Sequence, residues 1–480
     1  MARSLLRLAL PKGRLQAGTA ALAALLGWDL DGYGDGLRRY RFSSNRFPYL
    51  QGKVFHEKDI PVQVAVGNYD LGICGLDWME EHRVRYPASA LVKVRDLGYG
   101  QSQVVAAVSA SGGFGDSGVV RLASEYPNVA ERLALELRLR RFSIFPLWGG
   151  AEAYPPENAD LVLISQGTSE RPPEGLLSLG TVLSSSACLI ANRDSWEAED
   201  MGEILGTLER APTPRDGSPD AIGTESTRRL AGALARIPAA ARKTGRKGPD
   251  EDGTLWLGLP DGHQQPPTAQ FLDKAGVGIE GYSTGSRRPK VAQAGVACKV
   301  IRPQDLPLQV ANGNFAAAIT GQDWLREHRC QFPTSPVEEI LTLGFGLVRV
   351  VAVVKGDLPV AGPAELRQWM KARGKTPLRI ASEYVNIADS YARENHLSPY
   401  RVIPTWGATE AFLPEDADLL IENTQTGKTL AEHKLKIIDT LFESSACLIG
   451  NAGAVRREGV QRGLSTLVEA LRRGLREEAQ

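Results

Sequence analysis

Short apolar runs alternate with amphipathic stretches along most of the chain, the pattern expected of α/β layers. Residues 5–10 read as a strand and 16–26, rich in Ala and Leu, as a helix. Asp59-Ile60-Pro61 announces a helix continuing over 62–66, and 71–74 predicts a short buried strand. Another strand is expected at 104–108, ahead of a Gly-rich break at 111–115. Residues 119–123 and 161–164 supply strands of a second lobe, and 187–191 predicts the return to the first lobe. From Leu255 onward the same order recurs.

The recurrence extends to the residues themselves. Ala123-Ser124-Glu125-Tyr126 through Trp148-Gly149 and Asp160 returns as Ala381-Ser382-Glu383-Tyr384 through Trp406-Gly407 and Asp418. Ser185-Ser186-Ala187-Cys188 returns as Ser444-Ser445-Ala446-Cys447, and Gly75-Leu76-Asp77-Trp78 pairs with Gly321-Gln322-Asp323-Trp324. A period of about 250 residues is too long for a solenoid repeat. It implies two tandem copies of a whole two-lobed unit. The first copy is placed at 1–210, with lobe I at 1–103 and 183–210 and lobe II at 104–182. The second is placed at 254–480, with lobe I at 254–349 and 441–480 and lobe II at 350–440. Between them, 211–253 reads as a linker whose two flanks are solvated and whose middle, 226–237, has the helical spacing of a segment that could pack on one copy. Its basic stretch at 242–247 reads as part of that solvated linker.

Composition narrows the partners. Lys plus Arg and Asp plus Glu balance at 56 each, so no global basic field attracts nucleic acid and any polyanion site must be local. The five cysteines form no CxxC pair, and Cys188 and Cys447 occupy equivalent places in apolar strands, as small buried hydrophobes do. No apolar run reaches the roughly 18 residues of a membrane span. The chain enters a strand at once without signal-peptide architecture, so a reducing, cytoplasmic setting is expected.

Two motifs carry chemistry, one in each copy. The strand at 5–10 runs into Pro11-Lys12-Gly13-Arg14 and then a helix. Such a turn aims backbone N–H groups and the helix dipole at one spot, and two cations beside a glycine suit a phosphate or carboxylate. In the second copy the turn reads Pro260-Asp261-Gly262-His263, with a carboxylate in place of the lysine. An anion site has been deleted there. Conversely, the strand at 419–421 leads into Glu422-Asn423-Thr424-Gln425-Thr426-Gly427-Lys428-Thr429-Leu430, where hydroxyls, a glycine and a lysine precede a helix. It is not a P-loop, because Glu422 stands where GxxxxGK[ST] requires glycine. The first copy has Ser165-Gln166-Gly167-Thr168-Ser169-Glu170-Arg171-Pro172-Pro173, with glutamate at the lysine position and two prolines lacking N–H donors. That cradle is expected to be broken.

Together these motifs resemble ATP phosphoribosyltransferase, the family opening histidine biosynthesis. The resemblance rests on Leu10–Leu15 (Leu-Pro-Lys-Gly-Arg-Leu), Asp70–Asp77, Leu97–Gly100 with Leu343–Gly346, and the Thr-Gly-x-Thr-Leu of Thr426–Leu430. It spans nearly the whole chain outside the linker. The implied fold is α/β, two tandem copies of a two-lobed unit like a type II periplasmic binding protein, each copy of the short-form length. The implied reaction joins N1 of ATP to the anomeric carbon of phosphoribosyl diphosphate and releases pyrophosphate. Mg²⁺ would come bound with the substrate, and no metal ligand is expected in the protein itself. Short-form enzymes work with a partner resembling histidyl-tRNA synthetase, which is an implied partner here.

The resemblance assigns roles by position. Thr426, Gly427, Lys428, Thr429 and Leu430 would hold the ribose 5-phosphate, and Glu422 would contact the ribose hydroxyls. Lys12 and Arg14, with Gly13 between them, would meet the nucleotide or diphosphate charge. Asp70, Arg302, Arg349 and Glu410 are the remaining implied substrate contacts. Departures are local: Gln425 replaces an acid before Thr-Gly, Ala316 replaces the counterpart of Asp70, and the first copy has His56 and Gln103 opposite Arg302 and Arg349. The preferred reading is an internal pseudo-dimer with one composite site, built from the Lys12 turn of one copy and the Thr426 loop of the other. Two alternatives stand beside it. One is a catalytically inactive ligand-binding or regulatory paralogue, and the other a two-lobed small-molecule binder unrelated to nucleotides.

Overall fold

The computed structural model describes residues 5–34, 40–111, 118–210, 224–236 and 253–478. Each copy is built on two α/β sheets. The first sheet of the first copy has the order β2-β3-β1-β4-β11-β5. Its strands are β1 (Leu6–Lys12), β2 (Arg41–Ser43), β3 (Leu50–His56), β4 (Leu71–Gly75), β5 (Leu91–Asp96) and β11 (Ala187–Asn192). β1 pairs parallel with β3 on one side and β4 on the other. Covered on both faces, β1 and β4 carry the nearly continuous apolar runs of central parallel strands. Helices α1 (Gln16–Leu26), α2 (Asp59–Ala65) and α3 (Leu76–Arg85) connect them. Leu8, Leu10, Leu22, Leu26 and Trp28 form the core of this lobe.

The second sheet has the order β10-β6-β9-β7-β8. It comprises β6 (Ser102–Ser109), β7 (Val120–Ser124), β8 (Phe142–Pro146), β9 (Leu161–Gly167) and β10 (Leu176–Ser185), with α4 (Pro127–Glu136) packed on it. Short helices α5 (Arg193–Ala198) and α6 (Gly202–Thr207) follow β11.

The second copy repeats both sheets. Its first has the order β15-β12-β16-β23-β17, from β12 (Leu255–Pro260), β15 (Val296–Ile301), β16 (Ala317–Gly321), β17 (Val337–Thr342) and β23 (Ala446–Asn451). Between β12 and β15 lie α8 (Gln265–Lys274) and the small ribbon of β13 (Ile279–Glu280) and β14 (Lys290–Val291). α9 (Leu306–Ala311) and α10 (Gln322–Gln331) flank β16. The second sheet has the order β20-β19-β21-β18-β22, from β18 (Val348–Lys355), β19 (Leu378–Ser382), β20 (Tyr400–Pro404), β21 (Leu419–Thr424) and β22 (Leu435–Ser444). It carries α11 (Pro363–Ala372), α12 (Val385–Glu394) and α13 (Lys428–Glu432), and the long α14 (Glu458–Glu478) closes the chain.

Two compact units emerge from these elements, and each borrows a short segment of the other copy. One comprises Met1–Pro146, Asp160–Lys243 and Trp406–Ala411, the other Leu147–Ala159, Thr244–Thr405 and Phe412–Gln480. In the second unit the borrowed segment is held by polar contacts. Asp305 accepts from the Trp148 N–H at 3.1 Å and the Tyr154 hydroxyl at 3.1 Å. Lys299, wholly buried, meets Glu157 at 2.5 Å and the Asn158 side-chain oxygen at 2.6 Å.

The stretch between the copies contains a helix that packs on the first one. Residues 224–236 form α7 (Thr224–Arg236), while 211–223 and 237–252 lie outside the described residues. Leu230 is buried against Val104, Val108, Leu122 and Val182 of the first copy's second lobe. In the second copy the equivalent strands are covered by Leu366 and Met370 of α11. α7 therefore covers the sheet as α11 does. Its Thr227 donates to Glu136 at the end of α4 (2.7 Å), much as Arg367 of α11 bonds the Asn395 carbonyl just past α12 (3.3 Å). Truncating Leu230 should leave a cavity in that lobe. Leu230→Ala should cost about 2–4 kcal/mol in urea unfolding, whereas Leu177→Ala, at an exposed position on β10, should stay near wild type. Equal midpoints for both variants would show α7 to be a passive passenger.

Candidate active site

The carboxyl ends of parallel strands are where open α/β sheets place ligands, and Lys12 ends β1 at such an edge. Lys12 is exposed, its ammonium 5.7 Å from the Tyr40 ring. The Gly13 N–H donates to the Gln16 side chain at 3.3 Å. Arg14 is committed inward: it meets Glu57 at 2.8 Å, Asp77 at 3.5 Å and the Ser102 hydroxyl at 2.5 Å. Burial works against its charge, but Asp77 and Glu57 outweigh that and hold the guanidinium protonated more firmly than usual. Burial likewise pushes the Glu57 carboxyl up, with Arg14 pulling it back. Arg14, although 37% exposed, is thus held by internal carboxylates, and Lys12 is the charge of this turn that meets no acid within ion-pair distance among the described residues.

In the second copy the corresponding turn is occupied by the protein itself. Asp261 is buried and takes Arg287 at 2.7 Å and Arg302 at 3.4 Å. Arg287 also approaches Glu152, from the borrowed segment, at 3.7 Å. Arg302, an implied substrate contact, is therefore engaged with the carboxylate that stands in Lys12's place.

The loops of the second lobes show the opposite asymmetry. In the second copy the Gly427 N–H donates to the Thr424 hydroxyl at 3.0 Å, and the Lys428 N–H to the Thr426 hydroxyl at 3.4 Å. Gly427 has φ +75° with open space around it, so backbone conformation and not crowding requires glycine. The Lys428 side chain is 82% exposed and only loosely faces Glu432 at 4.0 Å. Leu430 is buried and anchors α13. Because α13 has only five residues, its dipole is small, and the loop's hydroxyls and lysine are the groups that can hold an anion. Arg349 of β18 lies opposite Thr424, at the foot of this loop, and Glu422 lies opposite Val351 on the same pair of strands.

In the first copy, Glu170 stands at the position of Lys428. Its carboxylate accepts the Gly167 N–H at 2.8 Å, while its own N–H bonds back to the Gly167 carbonyl at 3.0 Å. The first copy's loop therefore folds on its own acid, whereas the second copy's folds on its threonine hydroxyls.

Two other implied contacts are placed differently from each other. Asp70 is at the wrong end of the sheet: it accepts the Arg7 N–H and the Ser195 hydroxyl, each at 2.7 Å. Arg7 and Lys12 are five residues apart on β1, or about 16 Å at the usual rise per residue. Asp70 therefore joins β1 to α5 and does not share a site with Lys12. Glu410, from the segment borrowed by the first unit, does come close, accepting the Tyr40 hydroxyl at 3.5 Å. Burial and the Glu410 charge both raise the Tyr40 phenol.

Sequence reasoning passed over the groups that join the lobes. Asp77, fully buried, accepts the Tyr126 hydroxyl at 2.9 Å and the Ser185 hydroxyl at 3.0 Å. Asp323 repeats this with Tyr384 at 2.6 Å and Ser444 at 3.1 Å, and Asn423 donates to Tyr384 at 2.6 Å. Glu81 and Glu327 cap α4 and α12. Glu81 takes the N–H groups of Asn128 and Val129 at 3.0 and 2.9 Å, and Glu327 those of Asn386 and Ile387, both at 2.9 Å. The signal was present as repeated Gly-x-Asp-Trp-x-Glu-Glu/Arg-Glu and Ser-Glu-Tyr segments, but spacing alone does not bring them together.

A two-lobed α/β unit written twice, with a lysine-bearing turn at a strand end of one copy and a Thr-Gly-Lys-Thr loop in the other, defines the class. The profile of the ATP phosphoribosyltransferase family matches residues 56–210 and 302–473, together more than half of the chain. The chain belongs to the ATP phosphoribosyltransferase family. It is 34% identical over 207 residues to the ATP phosphoribosyltransferase of Koribacter versatilis, covering 42% of this chain and 66% of that protein. To ATP phosphoribosyltransferase 1 of Geobacter sulfurreducens it is 32% identical over 229 residues, covering 46% of this chain and 73% of that protein. The matches to the first curated relatives span 65–66% of those proteins' lengths. Among solved structures, the ATP phosphoribosyltransferase (HisG:HisZ) complex from Thermotoga maritima aligns with a TM-score of 0.39 and 22% identity, over 47% of this chain and 100% of that one. Among the described residues, no helix is long and apolar enough to cross a membrane, and no three His, Cys, Asp or Glu side chains group as a metal site.

Burial, opposed by the donors of Asn128 and Val129, pushes Glu81 up to about 7. An acid with a raised folded pKa lowers stability as pH climbs from its unfolded pKa to its folded one. From about pH 4.5 to 7 the Glu81 contribution should decline by up to about 3 kcal/mol, at 1.36 kcal/mol per unit. The stability of Glu81→Gln relative to wild type should therefore improve between pH 5 and pH 8 in thermal unfolding. A constant difference across that window would refute the assignment.

Proposed function

We propose that this chain is an ATP phosphoribosyltransferase. It transfers the phosphoribosyl group of phosphoribosyl diphosphate to N1 of ATP, using one complete set of substrate-binding parts divided between its copies. One observation carries the reading. In each copy the missing anion subsite is filled by a carboxylate of the chain itself, Asp261 in one and Glu170 in the other. The two subsites left open are Lys12 of the first copy and Thr426–Leu430 of the second. Each half keeps what the other lacks.

Thr426, Thr429 and Lys428 would bind the 5-phosphate, Arg349 would support the loop from β18, and Glu422 would accept from ribose hydroxyls. Lys12 would meet the diphosphate or triphosphate charge, with Glu410 nearby through Tyr40. In the reaction the bond between the anomeric carbon and the diphosphate oxygen breaks as the bond to N1 forms. Cations held at the diphosphate oxygens stabilise the departing charge, and positioning supplies most of the remainder. Mg²⁺ would arrive complexed with the diphosphate and neutralise part of its charge. The proposal includes a regulatory partner resembling histidyl-tRNA synthetase, to be sought by co-purification.

Pyrophosphate release with ATP and phosphoribosyl diphosphate supplied together decides the central point. Lys12→Ala should lower turnover by at least about a hundredfold, roughly 2.7 kcal/mol. Arg14 is the poorer probe, because removing it strands the buried carboxylates of Glu57 and Asp77 and so costs stability as well, although solvent at the 37% exposed guanidinium screens part of that loss. Wild type that binds phosphoribosyl diphosphate without turnover would instead establish the inactive-paralogue alternative.

The loops give a separate expectation. Lys428→Ala or Gly427→Ala should weaken phosphoribosyl diphosphate at least about tenfold, roughly 1.4 kcal/mol. Gly167→Ala should leave affinity unchanged, and calorimetry should saturate near one equivalent per chain. Two equivalents per chain would show the first copy's loop to be functional.

A further inference from the structure

His56 ends β3 and is the parallel-strand partner of Lys12. The two side chains rise from neighbouring strands about 4.8 Å apart, on the same face. Lys58 follows two residues on, its ammonium 2.6 Å from Glu125 and 4.8 Å from the centre of the Trp78 ring. Burial first, then the charges of Lys12 and Lys58, hold the His56 imidazole below the ordinary histidine range, so the ring is neutral near pH 7. The charged groups around it are already engaged. Arg14 and Glu57 close on each other at 2.8 Å, and Glu125 of the second lobe is taken by Lys58. Asp59 lies buried at the start of α2, and Glu410 reaches this edge through Tyr40.

The second copy has Asp261, Arg302 and Gln304 at the places of Lys12, His56 and Lys58. There a permanent cation is matched by a permanent internal anion at 3.4 Å. The first copy has instead a titratable cation among permanent ones.

We propose that His56 is a proton-coupled ligand of the polyphosphate group bound at Lys12. It is neutral while the site is empty, and it takes up one proton from solvent as a diphosphate or triphosphate binds. This inference rests on the proposed reading that a polyphosphate occupies this edge. The physical reason is a reversal of local potential. Lys12 and Lys58 disfavour a third positive charge, and an anion of two or more charges overcomes them. An opposite charge within about 4–6 Å raises a base by roughly 1–3 pKa units. The coupling gives selectivity that a fixed arginine lacks, because only a ligand bringing excess negative charge makes the third cation favourable. Affinity for polyphosphate then rises as pH falls between the bound and free pKa values of the ring.

Histidine-ring NMR on the full chain tests this between about pH 5.5 and 9, with inorganic pyrophosphate as the probe. The chain has six histidines, and His56→Gln identifies the resonance. The free ring should titrate below 6.5, and pyrophosphate should raise its midpoint by at least about one unit, a tenfold gain in proton affinity. The pyrophosphate affinity of wild type should also climb from pH 8 to pH 6 at least about threefold more than that of His56→Gln. His56→Arg should bind with no more pH dependence than His56→Gln. Pyrophosphate that binds, and is weakened by Lys12→Ala, with an unmoved His56 midpoint overturns the inference while the proposed function stands. No pyrophosphate binding at all overturns both.

Discussion

A carboxylate removed from water must find donors or a cation, and much of this molecule follows from that requirement. Asp77 and Asp323 lie where the two lobes of each copy meet, inaccessible or nearly so. An unpaired charge there would cost several kcal/mol. Each is met by a tyrosine at the start of a second-lobe helix and a serine at the end of a second-lobe strand. Satisfying the acid therefore fixes how one lobe approaches the other. A Cβ at Gly75 or Gly321 would overlap the same carboxylates, which explains the glycine two residues before each aspartate.

The same rule accounts for the carboxylates that stand at the equivalent places in the opposite copies. Replacing a lysine by Asp261 put a buried acid at a strand end, and Arg287 and Arg302 turned to it. In the second-lobe loop of the first copy, Glu170 stands where the second copy has Lys428, and its carboxylate accepts the Gly167 N–H. In both cases the internal anion uses donors of the kind an external anion would need. Both carboxylates are satisfied within their own unit, Asp261 by two arginines and Glu170 by a backbone N–H, and the surrounding strands keep their register.

Arg14 and Lys12 illustrate how one motif can hold two roles. Both sit in Pro-Lys-Gly-Arg and both reach solvent, yet the arginine is paired with the buried carboxylates of Glu57 and Asp77 while the lysine lies over the Tyr40 ring. His56 acquires its character from Lys12 and Lys58 across the sheet edge. Neither distinction is a property of the residue type.

Much of the architecture was legible in the pattern of apolar residues. The helix at 16–26 coincides with α1, and the strands at 71–74, 104–108 and 187–191 fall within β4, β6 and β11. The duplication was also written in the chain, as were the different residues that the two copies carry at the Lys12 turn and at the Thr426 loop. These are local features, set by periodicity, by turn residues and by charge at a given place in a motif. The partners of Asp77, Asp261 and Glu81, the inward commitment of Arg14, and the placement of Asp70 at the far end of β1 were not legible. For α7 the helical spacing and the packing on one copy were legible, and the particular sheet that it covers was not. These depend on contacts between residues tens to hundreds of positions apart, which spacing does not encode. Sequence determined which charges each copy carries; tertiary structure decided which of them neutralise one another and which stay open to a ligand, because burial and distance set the energy of a charge.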